Sequence, residues 1–245
     1  MTRVAVLGLG EAGGRLARDL RDAGVDVRGY DPAVAGGAPD AASAVEGSEL
    51  VLSVNSAAVA RAVAEAALPA LADDALYADL NTSAPALKRG LAELVGPRLV
   101  DVALLGPVPA HGLATPALAS GPLAAGFAAI VGPLGMPVAV VSDRAGDAAQ
   151  RKLLRSVFMK GVATAAVESL AAAGRAGESA WLYDELAEVI GAPLLDRFLE
   201  GSRAHAVRRV EEMEAAAELL RELGVEPRMA SASAAVLSEL AKGEL

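Results

Sequence analysis

Up to residue 145, short apolar runs and helical spacings take turns along the chain, and beyond it no strand signal returns. RVAVLGL (3–9), VDVRGYD (25–31), LVLSVN (50–55), ALYADLN (75–81) and RLVDVALLG (98–106) read as strands. EAGGRLARDLRDAG (11–24), SAAVARAVAEAALPAL (56–71) and SAPALKRGLAEL (83–94) read as helices. In the first of these Leu16 and Leu20 stand four apart and Gly24 supplies the stop. Strands that alternate with helices pair in parallel, with helices covering both faces of the sheet. GPVPAHGLATPALASGP (106–122) reads as a Pro/Gly-rich loop, and GFAAIVG (126–132) and PVAVVS (137–142) as short strands. Helices are expected over 147–173, 175–200, 202–223 and 228–242.

The first strand runs directly into glycines. In VAVLGLGEAGGRLARDL (4–20), Gly8, Gly10 and Gly13 have the spacing G-x-G-x-x-G, after a strand and at the opening of a helix. In that setting Gly8 allows the tight turn, Gly10 lets the backbone approach a diphosphate, and Gly13 lets helix and strand pack closely. The backbone of Leu9, Glu11 and Ala12 completes the cradle, with the helix dipole facing the anion. Asp31 ends the second strand, 23 residues after Gly8, where a carboxylate accepts hydrogen bonds from ribose hydroxyls. A 2′-phosphate there would meet a like charge, and Pro32, Ala33 and Val34 bring no cation. NAD is therefore favoured over NADP. Asn55, Asn81 and Thr82 follow the third and fourth strands and belong to the same expected site. A glycine-rich turn without a ligand, with Asp31 as a turn residue, is the bland alternative. The expected fold class is α/β: an N-terminal Rossmann-type doubly wound parallel sheet (1–145) followed by a smaller all-helical domain (146–245).

Composition narrows the partners. The formal net charge is -9, with a pI near 4.8, which argues against nucleic acid. Hydrophobic residues make up 53%, enough for a core, while aromatics at 3% leave little for base stacking. The absence of cysteine removes disulfides, thiolate metal sites and a cysteine nucleophile, and fits a reducing cytoplasm. No signal peptide is read at the N-terminus and no uninterrupted apolar run spans a bilayer. No His/Asp/Glu cluster has metal-ligand spacing.

A dinucleotide site also needs a proton donor or acceptor. In GDAAQRKLLRSVFMKGV (146–162), Lys152, Ser156 and Lys160 follow one another at i, i+4 and i+8, flanked by Arg155 and Met159. That face is either a reactive one or a solvated basic stripe. His111 sits in the Pro/Gly loop and His205 in a charged helix, and both read as solvated.

Four stretches make the chain resemble the β-hydroxyacid dehydrogenase group, which includes hydroxyisobutyrate and phosphogluconate dehydrogenases. They are the opening (4–20), YADLNTSAP (77–85), LVDVALLGPVPAHG (99–112) and GDAAQRKLLRS (146–156). The resemblance implies hydride transfer between NAD(P) and a small polar, anionic hydroxy acid, alcohol or carbonyl, with Lys152 as general acid/base. It implies Asn81 and Thr82 near the nicotinamide, a substrate loop at Leu105, Gly106 and Pro107, and a homodimer through the C-terminal helices. Arg155, Lys160, His205 and Arg209 are the candidate anion-binding cations. The chain also departs from the family. Leu105-Gly106-Pro107 replaces its Ser-Gly-Gly, Ser156 replaces an asparagine, and a helix between AAIVG and PVAVV reads as missing. A non-catalytic dinucleotide-binding sensor or regulatory protein, or a C=N reductase, is the alternative.

Overall fold

Val4, Val6, Leu50, Leu52, Ala78 and Val100 are buried in one apolar layer, and Ala5, Leu7, Val51, Tyr77 and Leu99 in another. Successive residues thus alternate between two covered faces, which is why the strands read as continuous apolar runs. The computed structural model describes residues 2–245. Its sheet has seven strands: β1 (Arg3–Leu7), β2 (Asp26–Tyr30), β3 (Leu50–Ser53), β4 (Leu76–Asp79), β5 (Leu99–Leu104), β6 (Ala117–Ser120) and β7 (Val138–Ser142). The order is β2-β1-β3-β4-β5-β6-β7. Pairing is parallel from β2 through β5 and again between β6 and β7, while β5 and β6 run antiparallel.

Helices α1 (Glu11–Asp22), α5 (Val108–His111) and α6 (Ala124–Val131) lie over one face, through Leu16, Leu20, Val108, Phe127 and Val131. Helices α2 (Ala41–Val45), α3 (Ala57–Ala67) and α4 (Pro85–Val95) cover the other, through Ala44, Ala60, Ala64 and Leu91. The fold is α/β and doubly wound.

Two expectations fail in the stretch after β5. GFAAIVG is not a strand. It belongs to α6, whose Ala124, Phe127 and Val131 are buried three and four apart. A short apolar run looks alike as buried strand or buried helix, and here alanine and the sheet beneath decide for helix. This is also the helix that reads as missing. The Pro/Gly-rich segment 106–122 is not merely a loop: it contains α5 and the strand β6.

The chain divides into two compact units, the first ending at Lys152 and the second running Leu153–Leu245. The second is helical: most of α7 (Asp147–Ala176), then α8 (Ser179–Ile190), α9 (Ala192–Ala204), α10 (Ala206–Glu222) and α11 (Arg228–Lys242). The helix expected over 175–200 is interrupted at Gly177 and Gly191, with φ of 79° and 83°, a region that favours glycine. Leu153 packs with Met213, Ala216, Leu219, Ala230 and Leu237, and Ala166 and Val167 pack with Leu195 and Leu199. By length and composition α7 resembles a membrane span, yet it gives Leu153, Ala163, Ala166 and Val167 to burial within the fold.

Candidate functional site

The glycine loop sits where β1 lies between β2 and β3, the point at which the strand order reverses and open α/β sheets take their ligands. Gly8 has φ 100°, and a Cβ on it would overlap the carbonyl oxygen of Val54. A Cβ on Gly13 would overlap the carbonyl oxygen of Gly8. These two glycines are demanded by packing. Gly10 is different, since a Cβ there would meet no protein atom within 4 Å. Helix α1 starts after Gly10 without a side-chain cap, so its first N–H groups are open to an acceptor. The fit to a diphosphate is good. Asp31 joins the loop directly: its carboxylate accepts from Leu9 N–H at 2.8 Å and from Ala33 N–H at 2.9 Å. Carboxylate oxygens have lone pairs to spare for hydroxyl donors.

Beyond β3 and β4 the chain is tied together by amides. Asn81 Oδ1 accepts from Asn55 N–H at 2.6 Å, and Asn81 Nδ2 donates to Asn55 Oδ1, Ser53 Oγ and Asp79 Oδ1. Asn55 Nδ2 donates to Ser53 Oγ at 3.0 Å. Asn81 is buried and spends its amide on this lattice. It acts as a brace, beside the half-buried Thr82.

Thr82 meets Lys152. The Lys152 Nζ donates to Thr82 Oγ1 at 2.6 Å, bringing together residues 70 apart in sequence. Both are half-buried, and both belong to the first unit, which Lys152 ends. Behind them lies a set of ions that sequence reasoning missed. Lys88 Nζ lies 2.6 Å from Asp79 Oδ2, 2.7 Å from the Asp79 carbonyl and 3.2 Å from Asp101 Oδ1, with all three side chains fully buried. Burial opposes the Lys88 charge, but Asp79 and Asp101 outweigh it and hold its pKa above the usual lysine value. Asp101 Oδ2 also accepts from Ser120 Oγ and from the N–H groups of Gly146 and Ala149, where α7 begins. The only hint in the sequence was an aspartate inside each of two otherwise apolar strands.

The segment after β5 is fastened to α1. Arg15 Nη1 donates to the Pro109 carbonyl at 3.0 Å, and Asp19 Oδ2 accepts from Leu113 N–H at 3.0 Å. Gly112 (φ 54°) passes so close that a Cβ would overlap the Asp19 carboxylate. Leu105 and Gly106 are half-buried, Pro107 and His111 exposed.

In the second unit, Glu212 collects the polar face of α7. Ser156 Oγ donates to Glu212 Oε1 at 2.5 Å and Lys160 Nζ does so at 2.8 Å. Burial, outweighing Glu212 and helped by Arg209 and Arg155, lowers the Lys160 pKa. The expected basic face therefore carries an acid from α10, and Ser156 and Lys160 are bonded to it. Arg155 is exposed. His205 does not lie inside a helix but at the junction of α9 and α10. Arg209 Nη1 donates to buried Ser202 Oγ at 2.8 Å.

Comparison with known proteins places this architecture. A conserved hypothetical protein from Sinorhizobium meliloti 1021 is 30% identical over 97% of this chain and 88% of its own, with a TM-score of 0.75. MTH1747, a conserved protein of unknown function described as structurally similar to 3-hydroxyacid dehydrogenases, is 28% identical over 98% of this chain and 97% of its own, also with a TM-score of 0.75. The chain is thus similar in sequence and fold to these two proteins, and through MTH1747 its architecture is that of the 3-hydroxyacid dehydrogenases. Residues 173–240 match a domain of unknown function, DUF1932. Two more distant structures share the fold. The 3-hydroxyisobutyrate dehydrogenase of Mycobacterium tuberculosis with L-serine is 21% identical over 100% of this chain and 95% of its own (TM-score 0.81), and a Streptomyces aurantiacus imine reductase is 20% identical over 99% and 95% (TM-score 0.63). A curated relative, an uncharacterised 28.5 kDa protein of Methanothermus fervidus, is 27% identical over 146 residues, and the match spans 56% of this chain and about half, 55%, of that relative.

Proposed function

We propose that this β-hydroxyacid dehydrogenase-like protein is an NAD(P)-dependent oxidoreductase acting on a small polar hydroxy acid or alcohol, or on the matching carbonyl. The observation that carries this reading is the Lys152–Thr82 contact of 2.6 Å, formed in the unit that also holds the glycine loop. When bound, a nicotinamide dinucleotide supplies the hydride acceptor or donor. Gly10 and the first turn of α1 receive its diphosphate, and Asp31 the adenosine ribose. Asp31 favours NAD. Lys152 is the general acid/base: as an amine it takes the hydroxyl proton of the substrate, and as an ammonium it returns it to the carbonyl oxygen. Thr82 holds the Lys152 Nζ in place. Arg155, Lys160, His205 and Arg209 are the cations proposed to attract an anionic substrate. With Ser156 and Lys160 bonded to Glu212, exposed Arg155 is the strongest of the candidates on α7.

We further propose a cytoplasmic homodimer. Trp181 and Val189 of α8 are 58% and 81% exposed, an apolar face suited to a second subunit.

The replacement of a Ser-Gly-Gly loop by Leu105, Gly106 and Pro107 favours a second reading, a dinucleotide-binding sensor without turnover. Calorimetric titration with NADH and NADPH, on wild type and Lys152→Ala, followed by a screen of hydroxy acids, aldehydes and imines, separates the two. The dehydrogenase reading expects binding in both proteins and turnover in wild type alone. Binding without turnover on the whole panel supports the sensor. Failure of wild type to bind either dinucleotide overturns both readings.

A further inference from the structure

Three backbone N–H groups where α7 begins are held by β5 and β6. Those of Gly146 and Ala149 donate to Asp101 Oδ2, each at 3.0 Å, and that of Ala148 donates to Ser120 Oγ at 3.0 Å. Ser120 Oγ in turn donates to Asp101 Oδ2 at 3.1 Å. These donors stand three to six residues before Lys152. On the other side of the ion set, Asp79 stands three residues before Thr82. Lys88 joins the two carboxylates. The contacts form a closed ring, from Thr82 through Asp79, Lys88 and Asp101 to the first turn of α7, and back through Lys152 to Thr82.

Stability alone does not call for such a ring. Well-packed apolar side chains hold a core at least as well as buried ions. What ions add is direction: a carboxylate at a helix N-terminus accepts short, charge-assisted bonds and fixes the turn that donates them. We propose that Asp101 and Ser120, with Lys88 as their counter-charge, are positioning residues that set where the Lys152 amine stands relative to Thr82. The inference rests on the reading of Lys152 as the proton-handling group, but its test does not depend on turnover.

The lysines of this chain are Lys88, Lys152, Lys160 and Lys242, so each can be followed separately. The full chain is labelled briefly with acetic anhydride, and modification at each lysine is read by mass spectrometry, with exposed Lys242 as the internal standard. Asp101→Ala strips a buried ion of its partner and is expected to unfold; Ser120→Ala removes one hydroxyl and is expected to fold. In Ser120→Ala the labelling of Lys152 rises about fivefold as its turn loosens, in line with the loss of one hydrogen bond, while Lys160 stays unchanged. Asp101→Asn keeps an oxygen for the same two N–H bonds but removes the charge that strengthens them and turns its NH2 toward Lys88. It melts earlier, and Lys152 labelling rises in it too, again without a change at Lys160. Equal Lys152 labelling in wild type and Ser120→Ala overturns the proposal. So does an equal rise at Lys160, or wild-type Lys152 labelling in Asp101→Asn. NADH affinity, measured on the same proteins, is expected not to change. Loss of NADH binding in wild type strikes the oxidoreductase reading and leaves the labelling result standing.

Discussion

The ammonium of Lys88 lies 2.6 Å from Asp79 Oδ2, with both side chains wholly buried. A third charge, Asp101, stands 3.2 Å away on the next strand. Removing one member of such a set leaves its partners charged and desolvated, which costs about 3–5 kcal/mol. Lys88→Ala is expected to lose that much in urea unfolding. A loss within the range of an ordinary surface change would mean that the carboxylates are relieved by protonation or water.

Alkaline pH gives a second check. The Lys88 pKa is raised in the folded state, so its contribution is fully present below the unfolded value of ~10.4 and is lost as pH rises through the folded value. Burial likewise pushes the Tyr77 phenol up, and the unfolded chain ionises first above ~10. Lys160 has the opposite sign. Its lowered pKa makes the folded state shed a proton before the unfolded chain does, so stability climbs from that lowered value toward ~10.4. Thermal midpoints against pH are expected to bend downward above that value. Lys160→Met is expected to remove the climb that precedes the bend.

The two glycines that flank the start of α1 should separate folding from binding. Gly13→Ala forces a methyl onto the Gly8 carbonyl and is expected to cost about 1–3 kcal/mol of stability. Gly10→Ala meets no protein atom, so the melting temperature should hardly move while NADH affinity falls clearly. Unchanged affinity in Gly10→Ala would count against the diphosphate cradle.

The exposed face of α8 predicts an assembly. Trp181→Asp is expected to shift the molar mass in light scattering from dimer to monomer. A wild type that is already monomeric at micromolar concentration removes the basis of the dimer proposal.

The strands up to β5 were legible because their determinants are local: apolar runs, glycine stops and the spacing of Gly8, Gly10 and Gly13 all act over short separations. The segment 126–132 was misjudged because a short apolar run has no period of its own, and only the sheet beneath it made it a helix. Spacing put Lys152 on a helical face that read equally as a solvated stripe, and the family resemblance pointed to both Lys152 and Thr82. Their bond could not be read from the sequence, since it joins residues 70 apart.

The sequence by itself determined an α/β unit with a glycine loop at its first turn, followed by helices. It also determined which residues carry charge. Only the tertiary structure decided which charges meet. Asp79, Asp101 and Lys88 look in sequence like two strand aspartates and a surface lysine, and Lys160 looks like a free cation. Desolvation is a property of the packed fold: once the sheet and α4 exclude water, each buried charge must find its opposite, and that partner can lie anywhere along the chain.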